Sequence, residues 1–293
     1  MKITRSYFFL FAAAVSTKLL GCAAPTSDSS GLEESAVGAA EQALGIWDPP
    51  PGKNGKRPPC FWHPATQRAY RALGAHALTS FPDIIDIPDD CRQEVLENVF
   101  ECALTPTQTI TDPHDGHVYG GHWGLGQGWM NAPLSTDARR WVTACMAQRL
   151  NYSGDEVDIL LEGAATPIHT VPVYDQMFSF DESNAWGDLF SVAPTDHFQL
   201  EVCWSPDLQR LCSGTSGWTP NTWLTTRICD GNPQFIDAAS GDPYPCGLVV
   251  RGPCASSQVC PTQSPYPVCK RSNGTLDDHP IHVQLLPRRS CTL

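Results

Sequence analysis

Between Asp112 and His122 the chain places Asp112, His114, Asp115, His117 and His122, and the glycine-rich run that follows carries Trp123 and Trp129. Imidazole and carboxylate together suit a transition metal such as zinc. Asp112, His114, His117 and His122 are therefore the candidate metal ligands. Their spacing is not that of a helical His-Glu-x-x-His site, and the glycines and proline put them on a loop, where function concentrates. The alternative is a surface loop of ordinary histidines with both tryptophans tucked into the core. Beyond zinc on this loop, the sequence points to no cofactor.

Two acidic groups could do acid–base work: Asp155, Glu156, Asp158 and Glu162, then Asp181, Glu182 and Asp188. A glycosidase sets two carboxyls about 5–9 Å apart across a sugar. Glu162, closing an apolar strand, is the first to test. Trp186, Trp204, Trp218 and Trp223 lie among turn residues and are candidates for stacking on sugar rings, although tryptophan also builds small cores. Gly214-Thr215-Ser216-Gly217 is not a nucleophile elbow, and no phosphate-binding glycine loop is present. A net charge of −12 disfavours nucleic acid, which needs a basic surface. Lys53, Lys56 and Arg57 form the one local basic cluster and read as a solvated loop.

The elements that must position these side chains are held by cysteine. Of thirteen cysteines, Cys22 stands apart and twelve lie from Cys60 to Cys291. Cys22 follows a basic, then apolar N-terminus (Lys2, Arg5, Tyr7 to Val15) in Leu19-Leu20-Gly21-Cys22, which resembles the bacterial lipobox. That resemblance implies cleavage before Cys22, acylation of its thiol (palmitate) and a membrane tether through the lipid. Ala23, in place of the Asp of inner-membrane retention, favours the outer membrane of a bacterial cell envelope. Residues 23–45 lack Lys and Arg and read as a disordered tether reaching about 25–30 Å. Proline-rich sequence from Asp48 to Pro59 leads into the folded part.

Secretion makes twelve cysteines a disulfide framework. No Cys-x-x-Cys is present, and a catalytic thiol would break the even count. Helices are expected at about Thr66 to Leu78, across Cys91, Val95, Val99 and Cys102, and from Ser135 to Leu150. Cys91 and Cys102 sit about 16 Å apart along a helix and cannot bridge each other. Cys102–Cys145 is the favoured bridge between helices. Strands are expected at Val157–Leu161, Ile168–Val173, Phe198–Cys203, Leu248–Arg251 and Ile281–Leu285, with Asn273-Gly274 as a hairpin turn. Cys203, Cys212, Cys229, Cys246, Cys254, Cys260, Cys269 and Cys291 staple a tail poor in apolar residues, with Cys203–Cys212 as a local pairing.

Glu101-Cys102-Ala103-Leu104, Gly124 to Trp129, Trp141 to Cys145 and Gly187-Asp188-Leu189-Phe190 are similar, in that order, to segments of cysteine-rich secreted lipoproteins of the myxobacterial type. The resemblance spans about residues 90–190. It implies envelope location and disulfides and carries over no catalytic residue. The expectation is an α+β protein with a helical N-terminal half packed on a small antiparallel sheet and a disulfide-rich β C-terminal part. Its divisions are signal 1–21, tether 22–57, α+β domain 58–200 and disulfide-rich part 201–293. The leading function is a membrane-anchored binding module for carbohydrate or a protein ligand. The alternative is an extracytoplasmic hydrolase of cell-wall or extracellular polymer using the His/Asp loop.

Overall fold

A computed structural model describes residues 51–80, 87–169, 177–190, 200–263, 265–288 and 291. Cys22, the signal and the tether lie outside the described residues. The fold is α+β, with six helices and a six-stranded sheet among those residues. The expected helices are α2 (Pro64–Gly74), α3 (Asp89–Ala103) and α4 (Thr136–Gln148), preceded by the short α1 (Pro58–Trp62). Asp89 and Asp90 favour the positive N-terminal end of α3. Ser135 Oγ accepts from the Ala138 N–H and caps α4. None of these helices is long and apolar enough to cross a membrane.

The sheet takes strands from both sides of residue 200. Its order is β1 (Gly52–Lys53), β4 (Asp158–Glu162), β12 (Ile281–Leu285), β5 (Phe180–Gly187), β6 (Leu200–Trp204) and β9 (Leu248–Pro253). Every neighbouring pair is antiparallel except β6 and β9, so the sheet is mixed and not antiparallel throughout. A parallel pair needs a long crossover. Here it contains the small hairpin β7 (Gln234–Ile236) and β8 (Pro243–Pro245) and two helices beyond those expected from the sequence, α5 (Pro206–Cys212) and α6 (Pro220–Cys229). Both begin with proline behind a hydroxyl cap, Ser205 for α5 and Thr219 for α6. The tail is thus not purely β. The strand expected at Ile168–Val173 begins instead as a 3-10 turn, Thr166–Ile168, because Pro167 fixes a turn conformation; residues 170–173 lie outside the described set. Of the strand expected at Phe198–Cys203, Leu200 onward is present as β6.

Alternation along β12 divides the sheet. Ile281, Val283 and Leu285 are buried on one face, against α4, where Val142, Cys145 and Met146 are fully enclosed. His282 and Gln284 lie on the other face. Farther along that second face Trp186, Cys203, Cys254, Val259, Cys260 and Cys269 form a separate small core.

Six disulfides close the framework: Cys60–Cys91, Cys102–Cys145, Cys203–Cys254, Cys212–Cys291, Cys229–Cys246 and Cys260–Cys269. Cys102–Cys145 clamps α3 to α4 as expected. Cys203–Cys212 does not form. Cys203 on β6 points into the small core, whereas Cys212 ends α5 and meets Cys291 beyond β12.

One ion pair joins the helices to the sheet. Arg227 on α6 and Glu182 on β5 are 2.9 Å apart and almost wholly buried. Arg227 Nη1 also donates to the carbonyls of Gln148 and Leu150, the end of α4. Glu182 accepts from the Trp223 indole N–H at 2.7 Å. Replacing Arg227 with Met strands a buried carboxylate and two carbonyls, so Arg227→Met should cost about 3–5 kcal/mol. Denaturant unfolding with disulfides intact measures this; a loss below about 1 kcal/mol would contradict it.

Candidate functional site

The residues that could bind a ligand meet where the β1 segment crosses the C-terminal half of α3. Pro51 to Lys56 form one wall and Glu97 and Glu101, one helical turn apart, the other. Arg149 follows α4, and His122 and Trp123 come from the glycine-rich loop. Together they enclose a cleft of about 330 Å³, at the lower end of the usual size for small-ligand sites.

The loop reaches the cleft by pairing with α3. The N–H groups of His122 and Trp123 donate to the Glu101 carbonyl, and those of Gly124, Leu125 and Gly126 to Leu104, Cys102 and Ala103. This close approach requires small residues: a Cβ on Gly121 would lie 2.3 Å from the Leu104 backbone. Gly52 is equally constrained, since a Cβ there would lie 2.0 Å from the Trp123 ring.

Charge in the cleft is balanced pair by pair. Lys56 meets Glu97 at 2.6 Å and Lys53 meets Glu156 at 2.9 Å. Arg149 pairs with Glu101 and lies over the Trp123 ring, 5.1 Å from its centroid. Arg149 also donates to the Lys53 and Asn98 carbonyls, so its guanidinium is fixed. Burial lowers the Arg149 pKa to about 9, opposed by Glu97 and Glu156. The site holds positioned donors and acceptors with no net excess of either sign. Lys53 and Lys56 thus belong to its wall, not to a merely solvated loop.

The four candidate metal ligands are not brought together. Asp112 is fully buried and held by Arg92 through two bonds of 2.8 Å. His114 is exposed, His117 packs on Tyr119 at 4.5 Å, and His122 packs edge-on against Trp123 at 4.4 Å. Asp112, His114 and His117 share the turn of a β-hairpin, β2 (Thr109–Thr111) and β3 (Val118–Gly120), where Asp112 accepts from the His114 N–H, whereas His122 lies beyond β3 and bonds to α3, so the His/Asp loop is not one constellation.

The tryptophans divide as well. Trp186 and Trp223 are fully buried and cannot meet a ligand: one fills the small core, the other donates to Glu182. Trp204 and Trp218 are half-buried, Trp218 edge-to-face with Trp223, and neither lines the cleft. Trp123 does. Core placement, one alternative in the sequence, holds in that the residue is 3% exposed, yet it borders the opening.

Folding also unites members of the two acidic groups around His282. Its ring lies 3.1 Å from Asp181 and 2.9 Å from Asn184, and Glu162 is its cross-strand neighbour on β4. Gln284 donates to the same Asp181 oxygen. Of the others, Asp188 caps Phe190 and faces Arg139. Both His282 nitrogens face polar partners, which makes this an ion-pair network.

Burial opposes the charge on His282, but the hydrogen bond and charge of Asp181, followed by Glu162 and Asp207, raise its pKa overall. The hydrogen bond from His282 in turn lowers that of Asp181, against the effect of burial. A raised imidazole stabilises fully below its unfolded value of about 6.5 and is lost as pH rises through the folded one. A lowered carboxyl stabilises above its unfolded value of about 3.9 and is lost as pH falls through the folded one. The pair therefore contributes most between about pH 4 and 6.5.

Compared with known families, curated proteins and solved structures, the chain matches none.

In thermal unfolding across pH, Asp181→Asn should lower stability most in that window and least at alkaline pH. An equal loss at every pH would show that the network does not titrate as a pair.

Proposed function

We propose that the chain is a lipid-anchored extracytoplasmic binding module whose cleft, between the β1 segment and α3, takes a neutral carbohydrate. The observation that carries this reading is the charge balance of the cleft: Lys53, Lys56 and Arg149 against Glu156, Glu97 and Glu101, each cation held by a carboxylate. A charged ligand would have to break one of these pairs. A sugar hydroxyl donates and accepts at once, and can bond both members of a pair without separating them. The half-buried His122 ring adds a flat surface against which a sugar ring packs, and buried Trp123 backs that wall. Ion pairs already formed leave little side-chain ordering for the ligand to impose.

Nothing in the cleft requires bond cleavage, and binding accounts for its groups more simply than hydrolysis. The Cys22 lipobox and the bridges Cys60–Cys91 through Cys260–Cys269 fit an exported protein working at the envelope. The anchor would hold the module near envelope polysaccharide.

The test is a glycan array followed by calorimetry with the disulfide-intact protein. Neutral oligosaccharides should bind in preference to uronic-acid or sulfated ones. Lys53 and Glu156 are exposed, so losing their pair costs little stability. The Lys53→Ala/Glu156→Ala variant should nevertheless weaken binding about tenfold, about 1.4 kcal/mol. Gly52→Ala, which drives a methyl into Trp123, should weaken it further. An array without hits would eliminate carbohydrate and leave a protein ligand.

A further inference from the structure

A second cluster stands apart from the cleft, just ahead of β12. Asp277, Asp278 and His279 each offer one ligand atom, and these atoms lie within 4.8 Å of one another. His279 Nδ1 is 3.2 Å from Asp277 Oδ1 and 2.7 Å from Asp278 Oδ1. A tetrahedral ion with bonds of about 2.0–2.2 Å needs ligand atoms about 3.3–3.5 Å apart. The Asp277 contact is already close to that edge. Asp278 is 72% exposed and can swing outward to meet it.

Three further observations separate this cluster from an ordinary acidic surface. At its centre is a buried imidazole, with the His279 ring held against Trp141 at 4.8 Å. The far nitrogen, Nε2, faces Asp137 of α4 at 3.4 Å. A carboxylate on the second nitrogen orients a metal-binding histidine and fixes its tautomer. Charge is also uneven here, unlike in the cleft. Asp137, Asp277 and Asp278 surround the imidazole, and the Arg271 guanidinium is engaged with Asp277 Oδ2, while Oδ1 accepts from the His279 backbone N–H and faces its Nδ1. Asp277 itself is fully buried.

We infer that Asp277, Asp278 and His279 form a binding site for a zinc-like divalent transition ion, with Asp137 as the positioning carboxylate behind His279. One nitrogen and two carboxylate oxygens suit such an ion better than calcium, which takes oxygen alone. Three protein ligands leave a fourth position, and exposed Asp278 places it toward solvent.

Zinc titration of the disulfide-intact protein, by calorimetry and native mass spectrometry, tests the site. One ion per chain should bind at micromolar zinc. His279→Gln should abolish binding and Asp278→Asn weaken it at least tenfold. Asp137→Asn should weaken it by about 10–100-fold. The His114→Gln/His117→Gln variant should bind as the parent does. Asp278 is exposed, so its variant keeps the test valid even where His279→Gln fails to fold. Cobalt substituted for zinc should give visible bands that shift in Asp278→Asn. Absence of saturable binding, or binding unchanged in Asp278→Asn, would overturn the assignment. Binding lost in the His114/His117 variant would overturn it too and return the metal to the glycine-rich loop.

Discussion

The buried Arg227–Glu182 pair is the constraint around which the other elements are arranged. Taking two charges out of water costs several kcal/mol per ion unless every remaining donor and acceptor is met. Arg227 meets most of this demand with the Gln148 side chain and two carbonyls at the end of α4, its Nε alone lacking a hydrogen-bond partner among the described residues, and Glu182 meets it with the Trp223 indole. These partners come from α4, β5 and α6, so none can shift without exposing an unpaired group. Gln148 extends the network to the carbonyls of Ser183 and Ile281, on β5 and β12, beside the irregular register at Val283 and Gln284. The centre of the sheet and the helix covering it are thus fixed by polar bonds as much as by apolar burial.

Disulfides act at the margins of that centre. Cys60–Cys91 and Cys102–Cys145 tie α1, α3 and α4, and the remaining four bridges fasten the tail. Bridges spanning 51 and 79 residues remove the most freedom from the unfolded chain. The small core around Trp186 has six residues, five of them beyond residue 200 and four of them cysteine, and is too slight to hold by burial alone. The cleft and the Asp277–His279 cluster inherit this rigidity. One is lined by the loop packed on α3, the other sits between the β10–β11 hairpin (Cys269–Lys270 and Leu276–Asp277) and β12.

Periodicity made much of the framework legible. Cys91, Val95, Val99 and Cys102 repeat on one helical face, and that face is buried in α3. Ile281, Val283 and Leu285 alternate with His282 and Gln284, and the two faces of β12 follow that alternation. Helices α5 and α6 are hard to read in the sequence because prolines and a high density of cysteine suggest irregular or β structure, although Ser205-Pro206 and Thr219-Pro220 are helix-start signals. Proximity in sequence favours Cys203–Cys212, whereas strand direction sends the two sulfurs to different places. Asp277, Asp278 and His279 are consecutive, yet adjacent residues on a loop do not disclose where their side chains converge.

The sequence by itself determined the even set of twelve bridging cysteines, the α+β class and most element positions, because parity and periodicity are properties of the linear chain. Tertiary structure decided which groups share a site. Lys53, Glu97, Trp123, Arg149 and Glu156 are separated by up to about a hundred residues and meet only when β1, α3 and the glycine-rich loop pack together. It also kept Asp112, His114, His117 and His122 from forming one ligand set, because a buried Arg92 claims the aspartate, while His117 packs on Tyr119 and His122 on Trp123. Spacing along a chain limits contact only within one element. Between elements, packing sets the distance.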